Sequence, residues 1–263
     1  MIYEIYHETK FDYAGLVTFS HNIARLKPKN CPTQKLLEYS LTIEPNPYET
    51  NEFIDYFENT NNFMLIREAH KTLKVIASSK VEIVEEQINK NIEALKNVSL
   101  TFKELKQRLC SYHKDDVLAK YFLFETESIP MPSDQIKEYV LKSFNEDKNI
   151  IEATNEFMQR IFNDFKFVSG FSDITTPIET IFKEKKGVCQ DFAQFAISAL
   201  RSIGIPARYV SGYIQTIPPL GKEKLFGADA SHAWFSIYIP DFGWADFDPT
   251  NNKIPNEEYI VLG

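Results

Sequence analysis

The sequence has few of the features that mark secreted, disulfide-bonded or membrane-spanning proteins. Only three of its 263 residues are cysteines, Cys31, Cys110 and Cys189, and they lie far apart. An odd number of scattered cysteines argues against a disulfide framework and favours a reducing compartment. No apolar run approaches the ~18 residues that a membrane-spanning helix needs. The first residues also lack the basic and apolar regions of a signal peptide. We therefore expect a cytoplasmic protein with no membrane partner.

Positive charge is scarce as well, and this bears on the class of partner. Lys and Arg together number 29 against 37 Asp and Glu, which gives a formal net charge of −8, and no basic block stands out. This balance excludes nucleic acid from the expected partners. The sequence also lacks the acidic repeated loop that binds calcium, and we predict no metal and no cofactor. The content of 43% hydrophobic and 25% charged residues is that of an ordinary globular protein.

Aromatic residues, by contrast, are plentiful: 21 Phe and 13 Tyr favour a β-rich portion. Apolar and polar residues alternate with the two-residue period of a half-buried strand through much of the first 85 residues. The predicted strands lie near residues 3–13, 17–23, 37–43, 53–57, 63–66 and 73–83. Strands this frequent predict an antiparallel β module at residues 1–85. Because His7, His21 and His70 have no second ligand type at ligand spacing, we expect packed or surface histidines there.

Helical signals dominate the middle of the chain, after a polar run at residues 85–91 that we interpret as a linker. Thr101 and Glu104 have the spacing of a capping box. The longest helix is predicted over residues 150–167. Its expected inward side chains are Ile151, Phe157, Ile161, Phe162 and Phe165. A short helix is predicted after Thr176, which would be its N-cap, with Pro177 at the first helical position and Glu179 completing a capping box.

The stretch around Cys189 predicts a buried helix with a cysteine in its first turn. Apolar and small residues recur at three- and four-residue steps, which places them on one helical face. They are Cys189, Phe192, Ala193, Ala196, Ile197, Leu200 and Ile203. Gly187 precedes the helix at a predicted tight turn, and Gly204 and Pro206 end it. A helix start favours the thiolate, although a lone cysteine is more often a small buried hydrophobe.

Downstream residues raise the significance of this cysteine. Residues 231–239 and 244–248 are predicted as a hairpin with a turn at 240–243, following a strand at 207–214. If Trp234 pairs with Asp248, then His232 and Asp248 are diagonal neighbours on one face. A thiol, an imidazole and a carboxylate can act as nucleophile, base and orienting group. Asp246 shares the face and competes with Asp248 for the third role, and the neighbouring Pro249 favours Asp248.

Three further features of this region bear on the site. Trp234 and Trp244 are candidates for an acyl pocket, although large aromatic residues more often belong to the core. Asp191 suits the helix dipole, but a carboxylate near Cys189 would oppose the thiolate, so we expect it to point away. The long connection at residues 215–230 is expected to shape substrate access.

Several motifs of the sequence closely resemble those of the bacterial transglutaminase-like family, within the papain-like superfamily of thiol enzymes. They are Gly-Val-Cys-Gln-Asp-Phe-Ala at 187–193, residues 200–213, Ser-His-Ala-Trp at 231–234, Gly-Trp at 243–244 and Phe-Asp-Pro-Thr-Asn at 247–251. The early strands, with Tyr3, His7, Thr9 and residues 26–28, resemble the β-rich N-terminal region that accompanies this domain. The resemblance implies an α+β protein: a β module at 1–85, a helical linker region at 86–130 and a transglutaminase-like catalytic core at 131–263. It also implies a further C-terminal segment.

Carried over by motif, the resemblance implies that Cys189 is the nucleophile, His232 the base and Asp248 the third residue. It implies acyl transfer through a thioester, with a peptide or protein amide as substrate. If water releases the acyl group, the protein is a protease, peptidase or amidase, which we favour; if an amine does, it is a cross-linking transglutaminase. The remaining alternative is a peptide-binding module without catalysis. The Cys-His-Asp set does not separate these outcomes.

Overall fold

A computed structural model describes residues 1–215 and 231–263, so the predicted connection at 215–230 lies almost entirely outside the described residues. The chain divides into two compact units. The first comprises Met1–Ile88, Ser211–Ser231 and Glu257–Gly263, and the second comprises Asn89–Val210 and His232–Asn256. The first unit is built on strands, and the second packs helices with strands, as the α+β prediction requires. The division into 1–85, 86–130 and 131–263 stays a prediction.

The first unit contains antiparallel sheets. Its strands in the N-terminal part are β1 (Ile2–Val17), β2 (Ser20–Ala24), β3 (Gln34–Glu44), β4 (Glu49–Ile54), β5 (Thr60–Ile66) and β6 (His70–Ile83). β6 lies between β1 and β3, and β5 lies between β2 and β4. The alternation along β6 is that predicted from the sequence, because its apolar positions are almost fully buried. These are Leu73, Val75, Ala77, Val81 and Ile83.

The histidines of this unit make local contacts. His7 Nδ1 lies 2.9 Å from the hydroxyl of Tyr213, and His70 Nδ1 lies 2.7 Å from the carbonyl oxygen of Glu68. The ring of His21 packs 4.8 Å from that of Phe19, measured between centroids. His70 is buried, His7 is half-buried and His21 is exposed, in keeping with the packed or surface histidines expected from the sequence.

One predicted strand of this unit is displaced. The sequence placed a strand at 53–57, but β4 ends at Ile54. The carboxylate of Asp55 accepts hydrogen bonds from the backbone N–H groups of Phe57 and Asn59, both at 2.9 Å. An aspartate that bonds the backbone two residues on stabilises a turn, so Asp55 ends the strand and the aromatic residues after it lie in the turn.

The second unit carries most of the helices. They are α2 (Phe102–Arg108), α3 (Lys114–Ala119), α4 (Asp134–Leu141), α5 (Ile150–Asp164), α6 (Ile178–Glu184) and α7 (Cys189–Ser202), and α1 (Glu85–Lys96) begins at the end of the first unit. The predicted capping box is present at α2, where Thr101 and Glu104 bond each other's backbone N–H groups. Within the described ranges, no helix has the length and apolarity to cross a membrane.

The polar run at 85–91, which we interpreted as a linker, lies in the first part of α1. Two local predictions in the second unit were wrong. Helix α5 ends at Asp164, and Phe162, which we expected inward, is 46% exposed. The capping box at α6 does not form. Its N-cap is Pro177, and the carboxylate of Glu179 instead accepts hydrogen bonds from the N–H and hydroxyl of Ser133.

Helix α7 lies at the centre of the second unit. Its described side chains are buried on more than the single face that we predicted. Phe192, Ala193, Phe195, Ala196, Ile197, Ala199 and Leu200 are each at most 3% exposed. Such a helix is enclosed on all sides by other elements. The ring of Phe195 stacks on that of Phe182 from α6, with centroids 5.8 Å apart.

Strands β9 (Ala207–Ile214), β10 (Ser231–Ile239) and β11 (Gly243–Phe247) follow α7. β10 lies between β11 and β9, whose first half belongs to the second unit. The second half of β9 pairs with β12 (Tyr259–Val261) in the first unit. Short strands β7 (Lys166–Phe167) and β8 (Lys186–Gly187) pair in parallel just before α7. Cys189, the first residue of α7, and His232, the second residue of β10, therefore belong to the same unit.

Arg201 connects the end of α7 to β9. Its Nε and Nη2 donate to the carbonyl oxygen of Ala207 at 3.0 and 2.8 Å, and its Nη1 donates to that of Phe124 at 2.7 Å. The side chain is buried, and this burial lowers the pKa of Arg201 to about 10. Both carbonyl groups would lose this donor if the guanidinium were removed.

We expect Arg201→Met to lower the free energy of unfolding by about 2–3 kcal/mol, because the buried carbonyl oxygen of Ala207 and the part-buried one of Phe124 lose their guanidinium donors. Chemical denaturation followed by circular dichroism measures this loss. Arg108→Met is the matched control, since Arg108 is exposed and pairs with Asp241 at the surface; there the loss is expected to stay below ~1 kcal/mol. Equal losses in the two variants would contradict the role of Arg201.

Candidate active site

Cys189 is the first residue of α7 and is partly exposed. Just before Cys189, the backbone at Gly187 lies close to the side chain of Asp191. A Cβ on Gly187 would lie 2.8 Å from Asp191 Oδ2 and 2.9 Å from Asp191 Cβ. Glycine is therefore required by the close approach of a side chain and not by a positive φ, which Gly187 does not have.

Asp191 is held by donors next to the helix start. Its Oδ2 accepts from the backbone N–H of Val188 at 2.7 Å and from the hydroxyl of Ser172. The carboxylate thus caps the helix by bonding the N-cap backbone, and its contacts are with these donors and not with the thiol. Tyr209, on β9, lies near both groups. Burial, with the charges of Cys189 and Asp191, raises the pKa of the Tyr209 phenol.

His232 and Asp248 form a direct, buried pair. His232 Nε2 lies 2.7 Å from Asp248 Oδ2. The Asp248 side chain has no exposed surface, and that of His232 is 7% exposed. The hairpin has the register that we considered from the sequence, because Phe235 pairs with Phe247. Continuing this register by one residue sets Trp234 opposite Asp248.

The thiol of Cys189 also acts on the imidazole of His232, because it is one of the groups that raise the pKa of this histidine. Because Nε2 faces Asp248, Nδ1 is the nitrogen left for the thiol. Burial alone would lower the pKa of His232, but the hydrogen bonds and charges of Asp248 and Cys189 outweigh it and raise this pKa to about 9. The three side chains that the sequence singled out therefore lie together, and the imidazolium is favoured at neutral pH.

Asp248 accepts more hydrogen bonds than the one from His232. Its Oδ1 accepts from the backbone N–H groups of Thr250 at 2.9 Å and Asn251 at 3.3 Å, and its Oδ2 accepts from the side-chain Nδ2 of Asn251 at 2.7 Å. These contacts were not predicted from the sequence. The Asp-Pro-Thr-Asn order was the available signal, since an aspartate before such a turn commonly bonds the backbone two residues on.

Asp246, the rival carboxylate, has a different environment. It pairs across the hairpin with Ser236, and the charge of Arg208 acts on it. Burial raises the pKa of Asp246, and the charge of Arg208 partly opposes that rise. Only Asp248 of these two carboxylates bonds His232 in the described residues.

The two tryptophans are also separated. Trp234 is fully buried, and its ring centroid lies 6.0 Å from that of His232. Trp244 pairs with Tyr238 at the other end of the hairpin and lines a cavity of about 530 Å³ with Phe122. Tyr238 follows His232 by six residues, or roughly 20 Å along a strand. Trp244 is thus not brought to the Cys189 end of the hairpin.

Two family descriptions match the chain: the bacterial transglutaminase-like N-terminal region matches residues 3–82, and the transglutaminase-like superfamily matches residues 137–249. An uncharacterized protein of Mycobacterium tuberculosis is 32% identical over 273 residues, which cover 99% of this chain and 82% of that protein. The chain belongs to the transglutaminase-like superfamily. This confirms the family that the motifs around Cys189, His232 and Asp248 indicated.

Two further relatives bear on the fold and the chemistry. A candidate cysteine protease from Cytophaga hutchinsonii matches the structure with a TM-score of 0.73 at 20% identity, covering 100% of this chain and 83% of that one. This likeness confirms the transglutaminase-like α+β fold. A protein-glutamine gamma-glutamyltransferase of Pseudomonas aeruginosa is 36% identical over 76 residues, which cover 28% of this chain and 11% of that protein. Within the described residues, no group of His, Cys, Asp and Glu is arranged to hold a metal ion.

We expect Asp248→Asn to lower the pKa of His232 from about 9 to 6.5 or below, because the charge and the strongest acceptor are lost while burial remains. NMR titration of the imidazole nitrogens measures this change. Because folding raises the pKa of His232, its protonated form stabilises the folded protein. This stabilisation is fully present below pH 6.5 and is lost as the pH rises through 9. The wild type should show this loss, and Asp248→Asn should not.

Asp246→Asn is the matched control, with the same chemical change two residues away on the same strand face. It is expected to leave the His232 titration midpoint within ~0.3 units of the wild type. A larger displacement from Asp246→Asn than from Asp248→Asn would contradict the assignment of Asp248 as the partner of His232.

Proposed function

We propose that the protein is a thiol-dependent acyl-transfer enzyme that hydrolyses amide or peptide bonds through a thioester. The observation that carries this proposal is the buried pair of His232 with Asp248, whose imidazole is also acted on by the thiol of Cys189 at the start of α7. A nucleophile, a base and an orienting group in this order are the requirements of thiol catalysis. The proposed roles are nucleophile for Cys189, acid and base for His232, and orienting group for Asp248.

In the first half-reaction, the thiolate of Cys189 attacks the carbonyl carbon of the amide. The tetrahedral oxyanion is stabilised by the backbone N–H of Cys189, because the first N–H groups of a helix have no partner within the helix. The C–N bond then breaks, and His232 gives its proton to the leaving nitrogen. Ammonia or an amine departs, and the acyl group remains on sulfur as a thioester.

In the second half-reaction, water attacks the thioester, and His232 takes one of its protons. The C–S bond breaks, the acid is released, and the thiolate–imidazolium pair is restored. Asp248 keeps Nε2 of the ring protonated, so that Nδ1 exchanges the proton with the reacting groups. The four hydrogen bonds that Asp248 accepts support its staying ionised throughout the cycle.

Transfer to an amine is the second candidate function. It is favoured by the local match to the protein-glutamine gamma-glutamyltransferase of Pseudomonas aeruginosa, which spans 28% of this chain. Hydrolysis is supported by the exposure of Cys189, because a thioester formed at a partly exposed sulfur meets water. A peptide-binding module without turnover is the remaining alternative.

We expect iodoacetamide below pH 7 to modify Cys189 at least about tenfold faster than Cys31 or Cys110, because an imidazolium beside the sulfur favours the thiolate. Peptide mapping by mass spectrometry measures each rate. Cys110 is an internal control, since it is more exposed than Cys189 and would react first if access alone decided. Slow, equal labelling of all three would favour the binding module, and His232→Gln should remove the preference for Cys189.

We expect incubation with a library of glutamine-containing peptides to yield mainly hydrolysed products, with or without an added primary amine, because water reaches the thioester. Mass spectrometry distinguishes cleavage and deamidation from amine incorporation. Cys189→Ala should lower turnover by about four orders of magnitude or more, with an unchanged circular dichroism spectrum. Amine incorporation as the main product would replace hydrolysis by transamidation.

A further inference from the structure

Asn251 lies directly beside the pair formed by His232 and Asp248. Its side-chain Nδ2 donates to Asp248 Oδ2 at 2.7 Å and lies 3.4 Å from His232 Nε2. The same Oδ2 lies 2.7 Å from His232 Nε2. Two N–H donors therefore converge on one carboxylate oxygen at equal distances, and one of them belongs to a residue that does not titrate.

The orientation of Asp248 does not depend on this side chain. Its other oxygen, Oδ1, is already held by the backbone N–H groups of Thr250 and Asn251. The consequence of the Asn251 amide is therefore electrostatic. The amide N–H of Asn251 occupies part of the acceptor capacity of Asp248 Oδ2. The positive end of this N–H dipole also lies close to His232 Nε2. Both effects disfavour the protonated form of His232.

We propose that Asn251 is a positioning residue that acts through Asp248 to limit how tightly the proton of His232 is held. This role deepens the proposed thiol chemistry and rests on it, because an imidazolium that protonates a leaving nitrogen must release its proton in every turnover. A carboxylate with no competing donor would hold that proton more strongly and slow its transfer.

The effect of the Asn251 amide on the pKa of His232 can be measured separately from that of neighbouring titratable groups. The carboxylate of Asp248 and the thiol of Cys189 are titratable groups that act on His232. Replacing Cys189 by alanine removes the thiol and keeps Asp248, whose carboxylate raises the pKa of His232. The backbone N–H of Asn251 stays in place in any side-chain variant, so the orientation of Oδ1 is retained.

The test is an NMR titration of the His232 imidazole in a Cys189→Ala background, with and without Asn251→Leu. Leucine has a similar volume and no donor. We expect the His232 midpoint to rise by about half a pH unit or more. Asn251→Ala is the second variant and should give a smaller rise, since water can then donate to Oδ2.

Asn252→Gly is the matched control. It removes an amide side chain from the next residue of the same turn, and glycine tolerates the φ of +52° found there. Its midpoint should equal that of the Cys189→Ala parent. An unchanged or lowered midpoint in both Asn251 variants would overturn the proposal. Because the measurement needs no substrate, it decides on Asn251 even if no amide is ever hydrolysed.

Discussion

The hydrogen bond between His232 and Asp248 is the interaction on which the rest of the site depends. A carboxylate with no exposed surface loses its hydration, and the free energy cost is several kcal/mol unless partners replace the water. Here the partners are the imidazole, two backbone N–H groups and one side-chain amide. The turn after β11 and the start of β10 must therefore be in place before the charge can be buried.

The thiol reaches this pair from a different kind of element. Helix α7 is enclosed along its length, so its first residue is carried by a rigid element. At its start, the Asp191 carboxylate bonds the backbone N–H of Val188, and Gly187 permits that approach. The packing of α7 thus fixes the position of Cys189, and the sheet fixes the position of His232.

Much of this arrangement could be predicted from the sequence, because it depends on local signals. The period of α7, its glycine and proline end, and the turn residues between β10 and β11 are each signals within a few residues. The capping box that does not form at α6 has a different cause. Glu179 has the spacing of a capping residue, but Ser133, 46 residues away in the chain, provides a competing pair of donors. The contacts of Asn251 also depend on where a turn places its side chain, which spacing alone does not give.

The difference between Asp246 and Asp248 shows how surroundings assign roles to identical side chains. Both lie on one face at the end of the hairpin, yet one meets Arg208 and the other meets His232. A slip of one residue in the pairing would turn both to the opposite face. The register is stabilised on that opposite face, where the fully buried rings of Phe235 and Phe247 stack with centroids 5.6 Å apart. Apolar packing on one side of the sheet therefore selects which carboxylate meets the imidazole on the other.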